Sequence, residues 1–447
     1  MLFESVKKIS KEKIQCYLFV GLAVIMFLLP MPQLFMPDED YSVYVQATIL
    51  WIALFYFGIV ILIEVLSGRA GIKNGGLALK CVAALAAIGV ISLWFSDDKM
   101  ISICGAEIRF EGLLAILSYY AIFYAAVLLK NREYRKKLFY CFIILGSIVA
   151  VMGILQLTGL YGFGDKYVGI AYAPMRNPNF FGGFTVLFAG VAIGGFYMYS
   201  RESDLLHPVR WWNRFTWYGV VLLSYAACIS AGSSLVYAGL IMMLLLYLFF
   251  VIVAKREKFL SFIALVVGLL GMIILLDNIC NGVVLNEVNS LGNQIKAEGS
   301  VFGDSVGSGR MEIWKLSLSL IPKYGIFGCG IERLGKHGLE LCEGWSWYFD
   351  KAHNEYLNLW LTEGIFALVT YLVFLFSLFI PGIMMFIKKK TSEKEEKNEL
   401  AMVALFAFFG YIAQAFFNIS VIQVAPYFWM ICGFLYNKQN KQKGMID

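Results

Sequence analysis

Apolar residues in this chain gather into runs of roughly twenty, each closed by a short polar or basic segment. An α-helix needs ~20 such residues to cross a bilayer. The runs lack the alternation of polar and apolar positions that marks a barrel strand, and a spanning segment must satisfy its own backbone hydrogen bonds. The pattern therefore predicts helices. We place them at residues 14–30, 43–66, 77–95, 112–129, 138–158, 180–199, 216–230, 234–254, 259–276, 358–386, 399–417 and 424–436. The expected fold is an all-α integral membrane protein with about 12 transmembrane helices and one long extracytoplasmic loop containing short helices. Its parts are residues 1–276 with the first nine helices, the loop 277–355, and residues 356–447 with the last three helices and a cytoplasmic tail. The first run follows Lys7, Lys8, Lys11 and Lys13 and has no small-residue cleavage site behind it, so it reads as a retained span.

Composition sharpens this picture. Of 447 residues, 60% are hydrophobic and only 15% charged, which fits a multi-pass protein. Most lysines and arginines fall in alternate loops, among them Lys130, Arg132, Arg135, Lys136 and Lys137, then Lys388, Lys389 and Lys390. Cytoplasmic loops carry such an excess, so both termini are expected inside and the 277–355 loop outside. The formal charge of +6 is thus a topology signal, with no nucleic-acid footprint. Charges inside the runs lie near their ends, at Glu64, Lys80, Asp277 and Glu363. An ion-coupled transporter would need more, so chemistry is expected at the outer interface. Five of the nine cysteines fall in or beside the runs. Cys104, Cys280, Cys329 and Cys342 lie outside, where spacing does not specify a disulfide, including one between Cys329 and Cys342.

The long loop holds most of the motif-bearing sequence. Ser308 or Gly309 is a suitable N-cap for a helix beginning at Arg310, with Trp314 one turn along on the same face. A helix N-terminus with an arginine fork suits a diphosphate, although an ordinary capped surface helix has the same spacing. Pro322 and Gly325 are expected to end that helix, and Gly325, Gly328 and Gly330 allow close backbone approach. Trp345, Trp347, Tyr348 and Phe349 are suited to stacking on a sugar, or to an interfacial aromatic belt. Of three histidines, His207 lies in a cytoplasmic loop and His337 among polar loop residues, while His353 opens an apolar helix. With Asp350 as N-cap, His353 would stand in the first turn, where the helix dipole favours a neutral base. A structural histidine would read the same way.

The histidines are too few and dispersed for a zinc site. Asp38, Glu39 and Asp40, or Asp97 and Asp98, mark wet outer loops more simply than a divalent-ion site. The 277–355 stretch carries more acids than lysines and arginines, so a diphosphate would depend on a few aimed arginines.

Together these features resemble the O-antigen ligase and polymerase superfamily. The resemblance rests on the late outer loop, on Ser308, Gly309 and Arg310 leading to Trp314, and on His353, Asn354, Glu355 and Tyr356 leading to Glu363 and Gly364. Upstream, Arg176 precedes Asn177, Pro178 and Asn179, similar to the family's Asn-Pro-Asn signature, and Arg109 to Leu113 resembles a stretch that opens the fourth span. The resemblance implies a metal-independent, inverting glycosyltransferase of the bacterial cytoplasmic membrane that needs no cofactor. Its donor would be an undecaprenyl-diphosphate-linked glycan and its acceptor a glycan or lipid-linked hydroxyl, both reached among membrane lipids. A chain-length regulator or a flippase is a candidate partner. Carried over, His353 and Arg310 are the catalytic candidates, as general base and diphosphate ligand. Arg176, Arg109, Asn177, Asn179, Trp314 and Asn354 are the substrate-binding candidates. One departure stands out: the family's Ser-Arg pair between the seventh and eighth spans is here Ser230 to Ser234 without arginine, which makes Arg109 the candidate substitute. Ligase and polymerase share donor and leaving group, and the compact loop leans towards polymerase. A non-catalytic scaffold or a transporter of lipid-linked glycans is the alternative.

Overall fold

The computed structural model describes residues 10–36, 39–68, 76–157, 159, 170–172, 174–199, 208–253, 258–279, 282–300, 303–307, 309–343, 348–387 and 399–436. Ser308, Trp345, Trp347, Asp38, His207, Cys280 and many of the basic loop residues lie outside this set. The described residues form helices joined by short connections, with no strand among them. In order the chain forms α1 Lys11–Leu28, α2 Met31–Phe35, α3 Glu39–Leu66, α4 Leu77–Ser92, α5 Lys99–Cys104, α6 Leu113–Leu128, α7 Arg132–Leu157, α8 Pro178–Tyr199, α9 Pro208–Ser230 and α10 Ser234–Val253. There follow α11 Phe259–Ile279, α12 Val283–Glu298, α13 Arg310–Ser319, α14 Ile321–Tyr324, α15 Leu334–Leu341, α16 Glu355–Glu363, α17 Ile365–Ile387, α18 Glu399–Gln414 with a 3₁₀ turn Ala415–Phe417, and α19 Ala425–Leu435.

Every run expected to span falls on helix, but the helices are not equivalent. Among the described residues, eight are long and apolar enough to cross a membrane, while α4, α6 and α19 are shorter apolar helices. The 11 residues of α19 extend only about 16 Å at ~1.5 Å per residue, against a hydrocarbon core of ~30 Å. All of them are buried, and α19 packs on α6 and α18. Apolar composition there reflects burial in protein rather than contact with lipid.

The centre of the bundle is α8, whose apolar window is wholly buried between α18, α9 and α10. Small residues permit this closeness. A Cβ at Gly190 would lie 2.2 Å from the Ala407 Cα, so α8 and α18 meet backbone to backbone.

The run 358–386, expected as one helix, is broken. Gly364 has φ 89°, and a Cβ there would lie 2.2 Å from the Ile326 carbonyl oxygen, so the chain turns at a position only glycine fills. The turn separates α16 from α17. The segment after α14 packs against it: Cys329 N–H donates to Leu361 O at 2.8 Å and Gly330 N–H to Thr362 O at 3.0 Å. The helix from Arg310 is also shorter than expected. It ends at Ser319, and Pro322 lies inside the first turn of α14 instead of terminating α13. Proline is tolerated in a first turn because those N–H groups have no helical partner.

Candidate functional site

The site is built on three short connections at one end of the bundle: residues 105–112 before α6, 328–333 before α15, and 350–354 before α16. The first is a tight loop. Gly105 has φ 96°, and a Cβ there would come within 2.3 Å of Phe110 backbone. Ile108 O accepts from Arg176 Nη1 at 3.3 Å, Arg109 Nε donates to Asp350 Oδ2 at 2.6 Å, and Glu111 Oε2 accepts from Lys351 Nζ at 2.5 Å. Glu332 in the second connection lies 2.8 Å from the same Lys351 ammonium. One loop thus collects Arg109, Arg176 and the segment leading to His353.

His353 does not occupy the first helical turn. The cap of α16 is Asn354, whose side chain accepts from Leu357 N–H at 3.0 Å, and Asp350 is instead the partner of Arg109. Asparagine has the better cap geometry one residue before Glu355, and this leaves His353 outside the helix with φ 47°. Its neutrality therefore has another source than the one expected. Burial holds the imidazole well below its ordinary value, at about 4; Arg310, Arg109 and Lys351 push the same way and Asp350 opposes them. Among the described residues the imidazole makes no hydrogen bond, so a half-buried neutral base stands ready to accept one.

Arg310 begins α13 as expected, with Gly309 as N-cap at φ 79°. Its Nη1 donates to Gly307 O at 3.0 Å, and Gly307 N–H donates to Gln294 Oε1 of α12 at 3.1 Å, so α12 supports the turn that presents this arginine. The Arg310 charge is one of those that lower the His353 value.

The other expected residues have partners within the fold. The Trp314 ring packs edge-on to Phe416 at 5.4 Å and over Phe417 at 6.0 Å, so it lies against the 3₁₀ turn. Asn177 precedes α8 and accepts from Asn179 N–H at 2.8 Å, with Pro178 as the first helical residue. Asn179 Oδ1 accepts from Ser233 Oγ at 2.7 Å, and Asn418 Nδ2 donates to Asn179 O at 3.2 Å. The Asn-Pro-Asn stretch thereby ties α8 to the arginine-free turn before α10. Arg176 Nη2 pairs with Asp40 at 2.6 Å. Asn354 is committed to its cap. Asp97 pairs with Arg333 and Lys336, and Asp98 caps α5. Cys329 and Cys342 are both free, buried thiols. Among the described residues no three His, Cys, Asp or Glu side chains gather closely enough to hold a metal.

Sequence reasoning missed the buried charges around Lys351. Lys351, Glu111 and Glu332 are each about 5–6% exposed, and Glu111 also accepts from Tyr119 at 3.0 Å and Ser420 at 2.6 Å. A second signal lay in the backbone. Among the described residues, the non-glycine positions with positive φ are Phe110, Arg176, Glu332 and His353, all on or against these connections. Such backbone costs about 1–3 kcal/mol per residue and persists where surrounding structure imposes it.

The described chain is a helical bundle with several helices long and apolar enough to cross a membrane, and it carries His353 and the Arg310 helix start in its short connections. Residues 219–372 match the family model described as O-Antigen ligase. That match covers about a third of the chain and makes this stretch similar to O-antigen ligases, in line with the resemblance read from the sequence. The matched stretch includes Arg310, Trp314, His353 and Asn354, whereas Arg109, Arg176, Asn177 and Asn179 lie upstream of it. A search of curated proteins finds no match.

Proposed function

We propose that this protein transfers a glycan from an undecaprenyl diphosphate carrier to an acceptor hydroxyl at the outer face of the cytoplasmic membrane, as a polysaccharide polymerase. The reading is supported by one observation above others: His353, held below its ordinary value by burial, makes no hydrogen bond among the described residues, and Arg310, one of the charges acting on it, opens a helix. His353 takes the proton of the acceptor hydroxyl as oxygen attacks the anomeric carbon. Arg310, at the start of α13, holds the diphosphate, whose charge grows as the glycosyl bond breaks. Attack from the face opposite the leaving group inverts the anomeric centre. Arg109 and Arg176 add positive potential, although their nearest carboxylates, Asp350 and Asp40, must share them with substrate.

The test is turnover of an undecaprenyl-diphosphate-linked repeat by the full chain in lipid with EDTA present. The expected result is a ladder of longer lipid-linked glycans. Release of undecaprenyl diphosphate only when a foreign acceptor is added would make the protein a ligase, and turnover abolished by EDTA would overturn the metal-independent mechanism. An inert protein with every donor would restore the scaffold and transporter readings.

A further inference from the structure

Among the described residues the His353 imidazole makes no hydrogen bond, so its placement depends on the backbone on either side. On the C-terminal side Asn354 is fixed as the α16 cap, and Ala352 N–H donates to Asn358 Oδ1 at 3.2 Å. On the N-terminal side two ion pairs run to one loop in register: Asp350 to Arg109, and Lys351 to Glu111. These pairs differ in kind. Arg109 and Asp350 are 20% and 36% exposed, where solvent screens them, whereas Lys351 and both its carboxylates are almost fully buried.

A buried ammonium is costly unless matched, and here two carboxylates from separate connections match it. Glu332 has φ 60° and His353 φ 47°, so two strained residues border the same cation. A cavity of about 80 Å³ is lined by Lys351, Glu111, Glu332 and Glu355 but not by His353. Lys351 therefore reaches the cavity, and His353 does not line it.

We infer that Lys351, clamped between Glu111 and Glu332, is a positioning residue for His353: it fixes the strained backbone that presents the imidazole, without touching substrate. The inference rests on the glycan-transfer reading for its kinetic consequence, but its structural content does not. The charged groups acting on His353 are Asp350, Arg310, Arg109 and Lys351, and removal of the Lys351 cation takes away one that favours the neutral ring.

The experiment uses the full chain in lipid nanodiscs, comparing wild type with Lys351→Met and with Glu332→Gln, which leaves Lys351 paired to Glu111. Lys336→Met, at an exposed pair with Asp97, is the control. Acylation of His353 by diethyl pyrocarbonate is followed by mass spectrometry from pH 4 to 8, because that reagent reads the neutral imidazole without needing turnover. In Lys351→Met the titration midpoint of His353 should move upward and its acylation rate change several-fold. Donor kcat should fall ~100-fold with KM within about threefold, as expected when a reacting group is displaced by about an ångström. Glu332→Gln removes an anion instead of the cation, so its midpoint should move downward, while its acylation rate and kcat should change in smaller degree, and Lys336→Met should change none of these. If Lys351→Met does not assemble, Glu332→Gln carries the test. Unchanged His353 titration in the variant that assembles would overturn the inference, as would a loss confined to donor KM. Absence of turnover in wild type would instead count against the glycan-transfer reading, while the acylation profile still decides the positioning role.

Discussion

At the scale of single residues, His353 shows how one side chain is tuned by its surroundings. A histidine titrates near 6.5 when unperturbed, and burial beside three cations brings this one to about 4. The charged form is the one penalised, so the base stays competent as pH falls until the folded-state value is reached. The acid limb of kcat/KM should accordingly have its midpoint near 4, and a profile with a midpoint near 6.5 would show that His353 is solvated in the working enzyme. The sequence exposed the histidine but assigned its neutrality to a helix dipole. Asn354 is the better cap, and the burial responsible comes from residues distant in the chain. Arg310 was legible because cap and helix are local. Lys351 was not, because its partners Glu111 and Glu332 are brought to it only by the fold.

At the scale of elements, the long loop is anchored to the bundle by glycine-dependent contacts. Gly328 has φ 81°, and a Cβ there would meet the Thr362 carbonyl oxygen at 2.2 Å, so the 328–333 connection lies directly on the end of α16. Valine at 328 combines a disfavoured backbone with a main-chain clash. A loss of at least ~2 kcal/mol is expected, read as a lower thermal midpoint in detergent, and a stability equal to wild type would contradict the described contact. Glycine spacing suggested close approach here without saying to what. The apolar runs located each helix of the bundle, but could not show that Gly364 divides one of them or that α19 is buried by its neighbours.

At the scale of the whole molecule, the bundle is a platform: α8 and α18 pack backbone to backbone, and the three site connections emerge together at one end. The distribution of lysine and arginine predicts that this end faces outward. A cysteine placed at Lys315, on the exposed side of α13, should react with a membrane-impermeant maleimide in intact cells, and labelling only after permeabilisation would reverse the topology. The match to the O-Antigen ligase family model points to the class of chemistry; the proposed site assigns a division of labour that kinetics can separate. The most direct test measures kcat and donor KM for His353→Ala and Arg310→Ala side by side in lipid. Removal of the base should lower kcat ~100-fold or more with KM little changed. Removal of the diphosphate ligand should weaken donor binding and transition-state stabilisation together, raising KM as well as lowering kcat. Full activity in His353→Ala would contradict the account at its centre.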